Sequence, residues 1–176
     1  MIVYKKWVVT NKKVGSCKMK YLGNKDLLKL HKTGFLSSRR CPAEVVLKSY
    51  KWAKQQREEG VCIVCGNHSK IEKDVFEILL RGDQPLILVL GRSLYKRNSP
   101  EINEALRDNR LLIISPFDKE VKRLSKESAS ARNKYILELC DSVVIGFSSK
   151  NGKLKSEIEQ YLDKVSTLIF EKEQSI

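Results

Sequence analysis

Short aliphatic or β-branched runs at residues 34–37, 61–65, 86–90, 111–115, 142–147 and 167–170 alternate with longer segments whose apolar residues recur every three or four positions. Unbroken apolar runs of this length mark strands buried on both faces, and the wider spacing is that of helices laid against them. The helical segments are 43–59, 70–80, 100–109, 128–140 and 154–164, while 116–126 has no apolar face and reads as a loop or a poor helix. Strands alternating with helices predict a three-layer α/β fold whose sheet is mostly parallel and covered on both sides.

The local punctuation agrees. Gly60 closes the first helix, and Ser99-Pro100 caps another. On the first helix Ala43, Val46, Leu47, Tyr50 and Ala53 share a face that is expected to cover the sheet. Val45 and Trp52 fall nearly opposite and are expected to form a dimer contact or to receive the N-terminal segment. That segment, with strands at 3–10 and 14–21 around Asn11-Lys12-Lys13 and a short helix at 24–32, reads as a basic β-ribbon carrying Tyr4, Trp7 and Tyr21 among lysines. Its aromatics would pack on the main domain or stack on unpaired bases. The expected division is a basic β extension at 1–32, one α/β domain at 33–170 and a tail at 171–176.

The stretch from Thr33 to Pro42 has the strongest chemical character. A short apolar run feeds Ser37-Ser38-Arg39-Arg40, and Cys41-Pro42 then opens a helix, with the proline at a first helical position. Free backbone N–H groups at a helix start, reinforced by two guanidinium groups, form a candidate phosphate site. Ligands of open parallel sheets bind beyond the carboxyl ends of the strands. The loops there add Gly66, His68, Ser69, Lys70 and Arg92, and a neighbouring helix adds Arg132 and Asn133. Ser37, Ser38, Arg39 and Arg40 thus become one wall of a basic, multi-loop phosphate pocket.

Charge supports a polyanionic partner. Lys and Arg number 34 against 21 Asp and Glu, a net charge of +13, and ten units of that excess fall within residues 1–40. Nucleic acid is the natural partner of such a face. No apolar run reaches bilayer length, so no membrane partner is expected. Lys5 and Lys6 interrupt the first apolar stretch before a signal-type core can form, and a cytoplasmic location is expected. Cys62 and Cys65 have metal-ligand spacing, but in a strand they point to opposite faces. The five cysteines read as reduced thiols, and no metal or cofactor is expected.

The order of these loops resembles the Rossmann-like domain of the DNA-processing protein A (DprA/Smf) family, within the wider lysine-decarboxylase-like (SLOG) group. Ser37-Ser38-Arg39 stands where that family has Gly-Ser-Arg, and Cys65-Gly66-Asn67-His68-Ser69-Lys70-Ile71-Glu72 is similar to its Ser-Gly-x-Ala-x-Gly-Ile-Asp loop. Leu88-Val89-Leu90-Gly91 with Tyr95, Ile114-Ser115-Pro116 and Arg132-Asn133-Lys134 follow in the family's order. The likeness covers residues 34–162 and leaves out the family's helical and winged-helix modules. It implies a protein that binds single-stranded DNA in the basic pocket, forms a homodimer and helps load a recombinase during DNA uptake. It also implies that Ser38, Arg39, Lys70 and Arg132 contact phosphates and that Asn133 shapes the site. The departures are Ser37 for glycine, His68 for alanine, Lys70 for glycine and Glu72 for aspartate.

Two other classes compete with this reading. The lysine-decarboxylase-like relatives cleave nucleotide N-glycosidic bonds through a Pro-Gly-Gly-x-Gly-Thr loop and a catalytic glutamate. Here the corresponding loop is Gly146-Phe147-Ser148-Ser149-Lys150-Asn151-Gly152, with neither the glycine run nor the acid, and the alternative is a nucleotide-binding sensor or a nucleotide N-glycosidic hydrolase of that group. Glu72 is the one acid that can be nominated for general acid chemistry, and pairing with a base or capping its helix is the alternative role. His68 reads as a hydrogen-bonding loop residue. The third class is an interaction protein whose partner meets Val45 and Trp52. Binding is favoured over catalysis.

Overall fold

The computed structural model describes residues 19–168. Seven strands form one sheet: β1 (Lys20–Gly23), β2 (Lys32–Leu36), β3 (Cys62–Cys65), β4 (Leu86–Val89), β5 (Leu111–Ser115), β6 (Ser142–Ile145) and β7 (Val165–Thr167). Their order is β1-β5-β4-β3-β2-β6-β7, and every pairing is parallel except that of β1 with β5. The helices are α1 (Ala43–Glu59), α2 (Lys70–Leu80), α3 (Pro100–Arg107), α4 (Lys126–Leu139) and α5 (Lys153–Ile158). None among the described residues is long and apolar enough to cross a membrane.

Each of the central strands feeds two cores because its side chains alternate. Ile63 and Cys65 pack with Phe35, Leu86, Leu88, Leu111 and Ile113 beneath α1, α2 and α3, whereas Cys62 and Val64 join Leu36, Ile87, Leu112 and Ile114 beneath α4 and α5. The faces expected of Cys62 and Cys65 are therefore the ones they occupy. Burial pushes the Cys62 thiol up to about 11 and that of Cys140 to about 12.

The first helix keeps its expected bounds but turns a different side inward. Val45, Ser49 and Ala53 are buried, Trp52 stacks on Phe35 with ring centroids 5.0 Å apart, and Leu47 is left 63% exposed. Of the expected sheet-facing set, Ala53 is buried and Val46 packs half-buried on the core, whereas exposed Ala43 and Leu47 and half-buried Tyr50, bonded to Asp74, are corrected, and so is a partner surface at Val45 and Trp52. Small Ser49 and Ala53 let the helix lie close to its neighbours while Trp52 fills the space over Phe35. An isolated exposed leucine is a common cost of such a choice. Pro42 is the N-cap of this helix rather than its first residue, and Gly60 ends it in the left-handed region at φ 71°.

At the amino-terminal side of the described residues, Lys20–Gly23 pair with Leu112–Ser115 and Asn24 Nδ2 donates to Asn109 O, so these residues add an edge strand to the sheet. The expected helix at 24–32 is a 3-10 turn, Lys25–Lys29, that buries Leu27. The 3–10 strand and the 171–176 tail lie outside the described residues. Near the other end, the helix expected to run to residue 164 stops at Ile158 and continues as a kinked 3-10 turn, so β7 starts earlier, at Val165.

Candidate nucleic-acid interface

The sheet reverses its winding at β2, which lies between β3 and β6. From β2 the chain leaves to α1 on one face, and from β6 to α5 on the other, so the two loops diverge from a common crevice. Such a switch point is where open α/β sheets bind ligands. Here the two loops are fastened together: Ser38 N donates to Phe147 O at 2.8 Å, and Ser149 N donates to Ser38 Oγ at 3.3 Å.

Glu72 lies at the centre. Ser69-x-x-Glu72 is a capping box for α2, in which Ser69 Oγ accepts from Glu72 N at 3.1 Å and the Glu72 carboxylate accepts from Ser69 N at 3.2 Å. The same carboxylate accepts from His68 N at 3.0 Å and from Ser37 N, on the neighbouring loop, at 3.4 Å. Arg132, sixty residues away on α4, closes the arrangement with two N–H···O contacts of 3.1 and 3.4 Å to the two carboxylate oxygens. Both side chains of this ion pair are 1% exposed. Arg132 also donates to Asn133 Oδ1, Asn133 Nδ2 donates to Glu157 Oε2 at 2.9 Å, and Ser130 Oγ donates to Glu157 Oε1. A buried polar chain thus joins the β2 and β3 loops to α4 and α5.

This geometry redistributes the eleven expected site residues. Ser37, Gly66, Ser69 and Arg132 are buried, and Arg132, expected to face a phosphate, faces Glu72 instead. A charged side chain this deep is tolerated because its partner and hydrogen bonds are already in place. The free N–H groups expected at Ser37 and Ser38 are taken, by Glu72 and Phe147. Ser38, His68, Arg92 and Asn133 are half-buried; Arg39, Arg40 and Lys70 are exposed. Lys70 is tied to Asp74, which also accepts from Tyr50 Oη. Arg92 lies over the Tyr95 ring, 5.2 Å from its centroid. Sequence reasoning missed Glu157, whose partners lie more than twenty residues away; the Ser-x-x-Glu spacing of the capping box was legible.

Gly66 is required by Arg132. A Cβ there would stand 1.7 Å from Arg132 Nη1, and the guanidinium is held by its ion pair and cannot swing aside. Gly66→Ala is expected to cost about 2 kcal/mol of stability through overpacking, read from the midpoint of urea unfolding. An unchanged midpoint would show that the guanidinium moves freely.

His68 Nε2 accepts from Arg39 Nε at 3.0 Å, which orients an exposed guanidinium with its outer N–H groups toward solvent. Burial, then the Arg132 charge, lowers His68 from 6.5 to about 4, so the ring is a neutral acceptor at pH 7. Because the folded value lies below the unfolded one, this ring's contribution to stability is complete above about pH 6.5 and is lost as the pH falls through about 4. His68→Gln keeps an acceptor and removes the titration. Its stability-against-pH curve is expected to be flatter than that of the parent over this window; superimposable curves would count against the assignment.

Around this core the carboxyl-end loops are strongly basic. Loops 37–42, 66–69 and 90–99 carry Arg39, Arg40, Arg92, Lys96 and Arg97 and no acid. Loops 116–125 and 146–152 add Lys119, Lys122, Arg123 and Lys150 against Asp118 and Glu120. The connections at the opposite, amino end of the sheet balance Lys25, Lys29, Arg81, Arg110 and Lys164 with Asp26, Asp83, Asp108, Asp141, Glu159 and Asp163. Positive charge is thus concentrated at the end of the sheet where the crevice opens.

Comparisons with known proteins agree with the fold. A structure of DNA processing protein A from Streptococcus pneumoniae superposes with a TM-score of 0.69 at 22% identity, covering 85% of this chain and 54% of that one. The Helicobacter pylori protein, whose structure is described in terms of its single-stranded DNA binding mode, gives 0.66 at 21% identity, covering 85% of this chain and 70% of that one. The chain therefore spans about half the length of the Streptococcus protein. No curated protein matches the sequence. The family model of DNA recombination-mediator protein A matches residues 9–158, well over half of the sequence, and the chain belongs to that family.

Proposed function

We propose that this protein binds single-stranded DNA across the carboxyl-end face of its sheet, through phosphate contacts and without reading sequence. The observation that carries the reading is the charge division between the two ends of the sheet: nine bases against two acids at the carboxyl end, five against six at the other. A polyanion gains from a field of that shape, and phosphate contacts supply affinity and orientation but little sequence discrimination. Arg39, oriented by His68, and Arg40 beside it are the leading contacts, with Lys96, Arg97, Lys122 and Arg123 extending the basic surface toward the β4 and β5 loops. Arg132 acts from beneath by holding the loops in register.

Catalysis has less support. The carboxylate of Glu72 is engaged by three backbone N–H groups and a guanidinium, and a general acid or base needs access to a substrate proton. Assembly into a homodimer, delivery of the strand to a recombinase and a cytoplasmic site of action extend the same proposal; sedimentation with and without oligonucleotide tests the first.

The direct experiment is a titration with a fluorescent thymidine oligonucleotide at several salt concentrations. Each phosphate neutralised on a single strand contributes about 0.7 to the slope of log affinity against log salt. With four or more contacts, affinity is expected to fall at least about fiftyfold between about 50 and 200 mM salt. Binding that is absent, or indifferent to salt, overturns the proposal.

A further inference from the structure

The Glu72 carboxylate occupies a cradle with the chemistry of a phosphate site. Three backbone N–H groups, from Ser37, His68 and Ser69, converge on its two oxygens from the carboxyl ends of two adjacent parallel strands. The Arg132 guanidinium, 1% exposed, completes the ring of donors from the facing helix. Backbone N–H groups at a helix start together with a planar guanidinium are the donors that bind phosphate elsewhere. A capping box requires only one of these donors. The remaining ones come from the neighbouring loop, from the residue ahead of the cap and from a helix on the opposite face of the sheet.

The geometry points to Glu72 as a built-in anion that occupies the phosphate cradle of the switch point and so excludes free nucleotide phosphates and inorganic phosphate from it. A small phosphorylated ligand would need the cradle's donors, and the protein's own side chain holds them with no translational entropy to lose. A strand of nucleic acid does not need them, since it can spread its phosphates over exposed side chains. Glu72 is accordingly a specificity-determining residue that turns a nucleotide-type crevice into a closed support for a basic surface. The claim concerns the cradle and stands apart from DNA binding.

The inference gives an unusual expectation for Glu72→Ala. The atoms removed, one carbon and its carboxylate, correspond to acetate. Acetate should therefore refill the cradle and restore what the substitution removes. Thermal unfolding of the full chain and of Glu72→Ala is compared in chloride, acetate and inorganic phosphate at one pH and ionic strength. The parent is expected to show only the small, non-saturating rise that excluded anions give any folded protein. Glu72→Ala is expected to unfold at lower temperature in chloride and to regain about 5 °C, saturably, in acetate or phosphate. Phosphorus NMR should then show one saturable phosphate site in the variant beyond the weak contacts that the exposed basic surface gives in both proteins.

If Glu72→Ala cannot be recovered folded from chloride, refolding is attempted in acetate and in phosphate. Recovery in either supports the inference, and failure in both overturns it. A parent chain that gains as much as Glu72→Ala in acetate or phosphate, or a variant indifferent to every anion, also overturns it. The oligonucleotide titration of the parent separates the two proposals: anion rescue without DNA affinity removes the DNA reading alone, and DNA affinity without anion rescue removes the cradle alone.

Discussion

Arg132→Ala is expected to destabilise the chain by about 3–5 kcal/mol, the usual cost of leaving a buried carboxylate without its partner. Glu72 would keep three backbone donors but lose the charge that balances it, and its surroundings are closed to water, with both side chains 1% exposed. The loss should be shared by the elements that Arg132 ties together. Asn133 would lose its guanidinium donor, and the link from α4 through Glu157 to α5 would be anchored at one end only. Urea unfolding measures the change directly. Replacing both members, as Glu72→Leu with Arg132→Met, is expected to cost less than Arg132→Ala alone, because no unpaired charge remains. A loss under about 1 kcal/mol for Arg132→Ala would mean that the carboxylate is solvated and that the buried pair does not hold the site.

Arg39→Ala together with Arg40→Ala is expected to weaken single-stranded DNA binding by about a hundredfold and to reduce the salt slope by about 1.4, the loss of two phosphate contacts. The two arginines should not contribute equally. Arg39 is oriented by its hydrogen bond to His68, so less side-chain freedom is lost when it meets a phosphate. Arg39→Lys would retain charge and lose the planar fork, and it is expected to fall between the parent and Arg39→Ala. Binding by the double variant should drop uniformly across oligonucleotide sequences. A loss confined to particular bases would indicate base contacts, and an unchanged slope would exclude this loop from the interface. The stability of the double variant should be close to that of the parent, because both side chains are exposed.

Together the two substitutions separate support from contact. Arg132 and Arg39 both stand on elements flanking the same crevice, yet one is held beneath the loops by Glu72 and the other is held open to solvent by His68. From the sequence the two were alike, basic residues at family-matched positions. Their roles diverge because burial of a guanidinium depends on a carboxylate sixty residues away, and no local pattern carries that information.

The sequence by itself determined the alternation of strands and helices, the cap at Ser99, the stop at Gly60 and the gathering of bases on the carboxyl-end loops. These are legible because each depends on residues within a turn or two of one another: periodicity, capping hydrogen bonds and backbone conformation act locally. Tertiary structure decided the rest. It chose the Val45, Ser49 and Trp52 side of α1 over the Leu47 side, because small residues and a ring stacked on Phe35 fit the sheet better than a second, equally apolar stripe. It drew Lys20–Gly23 into the sheet beside β5, since an open edge offers backbone partners that a free ribbon lacks. And it set Arg132 against Glu72, because a charge enclosed between two layers is stable only with its counter-charge beside it.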